Sequence, residues 1–160
     1  MAVTELGRLT CNMCDFISIG LNGNLTPALR KWRRRGYALA EHDHPALRKA
    51  LPPSHVPWLL TTGGCSCDFC GRPSESVQTR DAKRAIVLRD DAAEIIRELV
   101  ALDSGSSFLY VHFYGGDIST EPLPIVKRSR RTPGSLTSPT DPIMRDELIE
   151  LTTRNQPKQG

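Results

Sequence analysis

The sequence predicts an α/β (α+β) protein: a small mixed or antiparallel sheet of roughly four to five strands, two to three helices packed on it, and a tethered C-terminal helix. Three observations carry that expectation. Short apolar or alternating runs bounded by turn residues recur, as in DFISIGL at 15–21, AIVL at 85–88 and SFLYVHFY at 107–114. One longer segment, DDAAEIIRELVAL, repeats its apolar residues at helical spacing. A chain of 160 residues with 39% hydrophobic and 24% charged residues suits a single core.

The first strand, from Asp15, stops at the turn residues Asn22-Gly23-Asn24. Thr26 before Pro27 is the signature of a helix start, and Leu29, Trp32 and a closing Gly36 suit a short helix. YALAEHDH reads as extended, and PALRKAL as a brief helix ended by Pro52-Pro53. VPWLLTTGG, 56–64, is a β-segment delivering a cysteine-rich loop at 63–72, and the polar residues 71–82 read as loop. After AIVL, Asp90 or Asp91 caps the strongest helix, which reaches Leu102 and ends before Gly105. SFLYVHFY is the best strand; GGD turns it into PLPIVKRSR, so 107–126 should be a hairpin lying beside the strand from Asp15.

Residues 1–130 therefore form one domain, with 131–140, rich in Pro, Ser, Thr and Gly, as a linker. Asp141 and Pro142 start a helix through Ile143, Leu148 and Leu151, so 141–160 reads as a C-terminal helix with a polar tail. No secretory leader pattern or long apolar run occurs, and the odd count of five cysteines fits a reducing compartment. The expectation is a cytoplasmic protein with no membrane span. Net charge is only +3, concentrated in Arg30, Lys31, Arg33, Arg34 and Arg35 and again in Lys127, Arg128, Arg130 and Arg131.

The cysteines carry the most specific signal. CSC at 65–67 would project both sulfurs to one face if extended, and CDFCG at 67–71 is a CxxC followed by the glycine such a knuckle needs. Three candidate thiolate ligands, Cys65, Cys67 and Cys70, lie in this loop, and two more, Cys11 and Cys14, lie far upstream. Four thiolates suit Zn²⁺, and an iron-sulfur cluster uses the same donors. Reduced cysteines without metal, and thiol redox chemistry, stay open beside that reading. His42 and His44, alternating with Glu41 and Asp43, read as surface loop before ligands; His112 reads as structural.

CDFCGRPSESV resembles the first half of the zinc-binding domain of the bacterial Clp unfoldase, which implies a zinc knuckle. No cysteine follows Cys70, so the second CxxC of that domain would have to come from Cys11 and Cys14. Met13-Cys14-Asp15-Phe16, with Gly63, Cys65 and Cys67 later, is similar to small uncharacterised bacterial proteins that open Met-Cys-Asp-Phe or Met-Cys-Asp-Tyr and later carry Thr-x-Gly-x-Cys-x-Cys. That resemblance implies that Cys14 pairs with CSC, and that Met13 is the natural start; the ligand set favoured on the two resemblances is Cys14, Cys65, Cys67 and Cys70, with Cys11 as the competitor.

No glycine-rich phosphate loop, GxSxG elbow or HExxH motif is present, and EHDH is not the His-x-Glu of a zinc deaminase. The expectation is a zinc-stabilised module that docks a protein partner rather than an enzyme. Two alternatives remain: a thiol-based redox enzyme or sensor using the CxC and CxxC cysteines, and a weak nucleic-acid binder through Arg30, Lys31, Arg33, Arg34 and Arg35.

Overall fold

The computed structural model describes residues 14–71, 85–103 and 105–152. Cys11, Met13, most of the expected 71–82 loop and the tail from Thr153 lie outside the described residues.

The centre of the molecule is a six-stranded sheet. Strand β1 (Cys14–Asn22) is buried along nearly its whole length. It is flanked antiparallel by β3 (His55–Thr61) and β6 (Ser107–Tyr114), so the expected neighbourhood of the first and best strands is present. Strand β2 (Ala38–Glu41) forms one edge beside β3. On the other side, β9 (Glu147–Leu151) pairs antiparallel with β6, and β7 (Lys127–Arg131) pairs parallel with β9 at the far edge. A second, three-stranded sheet joins β4 (Cys70–Gly71), β5 (Ala85–Leu88) and β8 (Ile143–Met144). The strand number therefore exceeds the expected four to five.

Because strand side chains alternate, each face of the large sheet holds its own core. Ile17, Ile19 and Leu21 share one face with Trp58, Leu60, Leu109, Val111, Ile149 and Leu151. Helix α3 (Asp90–Leu102) covers that face with Ala92, Ile95, Ile96, Leu99 and Val100, the stripe its sequence predicts except for the last residue, Leu102, which is exposed. Cys14, Phe16, Leu59, Tyr110, Tyr114 and Leu148 form the opposite face, covered by Leu47 and Leu51 of the α2 region (α2, Pro45–Ala50) and by Leu123. Gly20 of β1 permits the close approach of Leu51, whose methyl carbons would lie 2.9 Å from a Cβ there. Helix α1 (Thr26–Arg30) is a single short turn, ending well before Gly36.

Three expectations are overturned. The 107–126 hairpin does not form: both edges of β6 are taken by β1 and β9, and the KRSRR strand crosses to pair parallel with β9. The C-terminal helix is instead β8, a turn and β9. In β9 the buried residues Leu148, Ile149 and Leu151 serve both faces of a sheet, so the strand lacks the alternation that would have announced it. Nor is 131–140 a tether, since a 3₁₀ turn at Pro133–Thr137 buries Pro133 and Leu136, the latter in the α3 core.

Candidate metal centre

The register of β1 and β3 sets up the site. Ile17 pairs with Leu60 antiparallel, so the chain leaving β3 runs level with the start of β1. There it reverses through Gly63 and Gly64, whose φ values of 58° and 114° need glycine. Thr62 N–H donates to Cys65 C=O at 2.7 Å, closing the reversal and returning Cys65 towards Cys14. A polar stitch then holds the loop. Ser66 N–H donates to Asp15 C=O at 2.9 Å, Ile17 N–H donates to Ser66 Oγ at 2.9 Å, and that hydroxyl donates to Leu60 C=O.

The result is a sulfur cluster. The Sγ atoms of Cys14, Cys65 and Cys67 all lie within 4.8 Å of one another, although about 50 residues separate Cys14 from the other two. In a tetrahedral zinc thiolate site, bonds of about 2.3 Å set the sulfurs about 3.8 Å apart, so small side-chain adjustments close three ligands onto an ion. Cys14 is disulfide-bonded in this structure, while Cys65, Cys67 and Cys70 are free; ligation by Cys14 therefore requires its reduction. Cys70 falls outside the trio. It follows a 3₁₀ turn, Cys67–Phe69, pinned by Phe69, which is fully buried and stacks on Tyr37 at 5.5 Å.

The surroundings explain the thiol energetics. Burial, a hydrogen bond with Cys65 and the nearby negative charges push the Cys67 thiol up to about 11. Burial followed by the Asp15 charge drives Cys70 higher still, against a smaller opposing pull from Arg145. Asp15 is held by Arg145 in a two-pronged ion pair, 2.7 Å from Nε and 3.0 Å from the second guanidinium nitrogen, and that guanidinium lies over the Phe113 ring.

A second polar cluster shares the sheet face with Cys14. Tyr114, the Cα partner of Cys14, packs edge-on against His112 with ring centres 4.6 Å apart. His112 Nδ1 meets Asp146 Oδ1 at 2.5 Å and Nε2 meets Glu121 Oε2 at 3.0 Å, while Tyr110 OH, whose single proton is shared with Pro124 C=O, lies 3.0 Å from Asp146 Oδ1. Burial lowers the His112 pKa, but the hydrogen bonds and charges of the two carboxylates outweigh it and leave the value raised. Asp146 has φ of 67°, a left-handed conformation that aspartate tolerates better than most side chains. His42 and His44 are buried here at 4% and 3% exposure, correcting the surface-loop expectation. Sequence reasoning missed Asp15, Glu121, Arg145 and Asp146; the alternation Tyr110-x-His112-x-Tyr114 was the available signal for a polar stripe.

The two basic blocks do not merge. Arg30 pairs with Glu41 on the β2 edge, whereas Lys127–Arg131 is the opposite edge, five strand spacings or about 24 Å away. Arg34 is bound by Glu98 at 2.8 Å and faces Glu94, and Trp32 packs against the core. No helix among the described residues is long and apolar enough to cross a membrane. No protein family, curated protein or solved structure matches the chain.

Proposed function

We propose that the protein is a zinc-stabilised interaction module, in which a thiolate-bound Zn²⁺ clamps the loop after β3 onto the start of β1. The carrying observation is the convergence of Cys14, Cys65 and Cys67 within 4.8 Å from distant parts of the chain. Three soft sulfur donors favour zinc over hard cations. The fourth donor comes from Cys70 or Cys11. A site closed by thiolates leaves no open coordination position, which argues for scaffolding over catalysis. The role that follows is docking of a protein partner by the surface the metal stiffens, with the α1 arginines as a secondary contact.

The test is metal analysis of untagged, reduced protein. About one zinc per chain that survives dialysis supports the reading, with loss on Cys65→Ser or Cys67→Ser; comparing Cys70→Ser with Cys11→Ser identifies the fourth ligand. A second reading, reversible thiol–disulfide chemistry, is favoured by the disulfide at Cys14 beside two thiols. Reduced protein that takes up no metal but cycles reversibly to a disulfide selects it.

A further inference from the structure

Residues 115–126 link β6 to β7 without regular structure, yet they lie across the sheet face that carries Tyr110, His112 and Tyr114. Leu123 enters the core there, with Ile118 and Ile125 against it. Three of the chain's four histidines hold this strap. His42 Nε2 bonds Ile118 C=O at 2.7 Å, His44 Nε2 bonds Glu121 C=O at 2.7 Å, and His112 Nε2 bonds the Glu121 carboxylate at 3.0 Å. Tyr110 OH donates to Pro124 C=O at 2.6 Å, and Val126 N–H to Asp146 C=O at 3.0 Å.

The protons on these imidazoles are not equivalent. His44 Nδ1 accepts from Ala46 N–H at 3.1 Å, so its single proton sits on Nε2 and is the one given to Glu121 C=O. His42 gives its Nε2 proton to Ile118 C=O, with Ser18 Oγ 3.5 Å from Nδ1, the His44 ring 5.6 Å away and the Tyr114 ring of β6 6.3 Å away. His112 is the opposite case: with Asp146 at one nitrogen and Glu121 at the other, only the imidazolium donates to both. Its remaining neighbours are the Tyr110 and Tyr114 rings on its own strand and Phe16, its Cα partner on β1.

We infer that the 115–126 strap is a pH-responsive clasp, held tightest near neutrality and loosened in acid through His42 and in alkali through His112. The signs agree. For His112, with its pKa raised, the grip is complete below about 6.5 and is lost as pH rises through the folded value. His42 has its pKa lowered, first by burial, with His44 adding and Ile118 and Asp43 opposing; its protonation keeps the Nε2–H bond to Ile118 C=O but places a buried charge under the strap, so the closed strap is favoured above about 6.5 and that preference is lost as pH falls through the folded value. The two windows overlap around the ordinary histidine pKa. This holds whether or not the sulfur cluster takes a metal.

Hydrogen–deuterium exchange of the full chain across pH, normalised to intrinsic exchange rates, tests the clasp. Strap amides should be most protected near pH 6.5 and exchange several-fold faster on either side, while β1 and β6 amides stay unchanged. In Glu121→Gln the alkaline arm should vanish, because glutamine can donate to an unprotonated Nε2 as well as accept from a protonated one; the acid arm should persist. In the wild type, the alkaline arm should share its midpoint with the His112 ring titration followed by NMR. Flat protection, protection that changes in step with β1, or a mismatch with the His112 midpoint overturns the proposal.

Discussion

The amide of Ile17 and the hydroxyl of Ser66 meet at 2.9 Å across 49 residues of sequence, at the point where β1 and β3 part. Ile17 and Leu60 are register partners, and Ser66 Oγ bridges the N–H of one to the C=O of the other. Removing it leaves two buried backbone groups without that bond. Ser66→Ala should cost about 2–3 kcal/mol, measured by urea denaturation of reduced protein, and should weaken metal uptake because Ser66 lies between two candidate ligands. A cost below about 0.5 kcal/mol would show the stitch to be incidental.

Metal removal should loosen the same loop. At a zinc level of about 1,000 times the dissociation constant, binding stabilises by about 4 kcal/mol, equivalent to roughly 8–16 °C in melting temperature for a chain of this size. Chelation of reduced, zinc-loaded protein should reverse that shift and raise protease cutting between Gly63 and Gly71. An unchanged melting curve counts against a structural metal.

The placement of β9 in the sheet predicts a sharp mutational contrast. Ile149, 1% exposed and opposite Leu109, should cost about 2–5 kcal/mol as Ile149→Ala, whereas a residue on a tethered terminal helix would cost little. Thermal or chemical unfolding of the single variant decides between the two.

Asp146→Asn keeps a side chain that tolerates the left-handed backbone but removes the negative charge beside His112. The His112 pKa should fall, as read from its ring proton shifts. The stability difference from wild type should be greatest below about pH 6.5 and shrink as pH rises through the wild-type His112 value, since there the imidazole is neutral in both proteins. A gap that widens with pH would contradict the ion-pair assignment.

Nucleic-acid binding should be weak, because Arg30 and Arg34 are already engaged by Glu41, Glu94 and Glu98 and the second basic block lies at the far edge. Any binding should be non-specific and fall steeply between about 50 and 200 mM salt. Tight, salt-insensitive binding would point to a dedicated nucleic-acid site.

Sequence alone determined the parts whose physics is local. Helix α3 announces itself because its apolar residues recur at the helical period, and β1 and β6 because apolar runs end at turn residues. The cysteine loop was legible from spacing, whereas the convergence of Cys14 on Cys65 and Cys67 was implied only by a resemblance to other sequences. Only the tertiary structure decided the rest. Residues 147–151 became a strand because β6 had an edge to fill and both of their faces could be buried, a benefit that no local pattern records. Likewise His42 and His44 look solvated in EHDH, but the carbonyls of Ile118 and Glu121, more than 70 residues away, satisfy their nitrogens and make burial affordable. The His112–Asp146 pair has the same origin: it depends on a left-handed turn that brings a distant carboxylate beneath β6, and such long-range partners exist only once the sheet has formed.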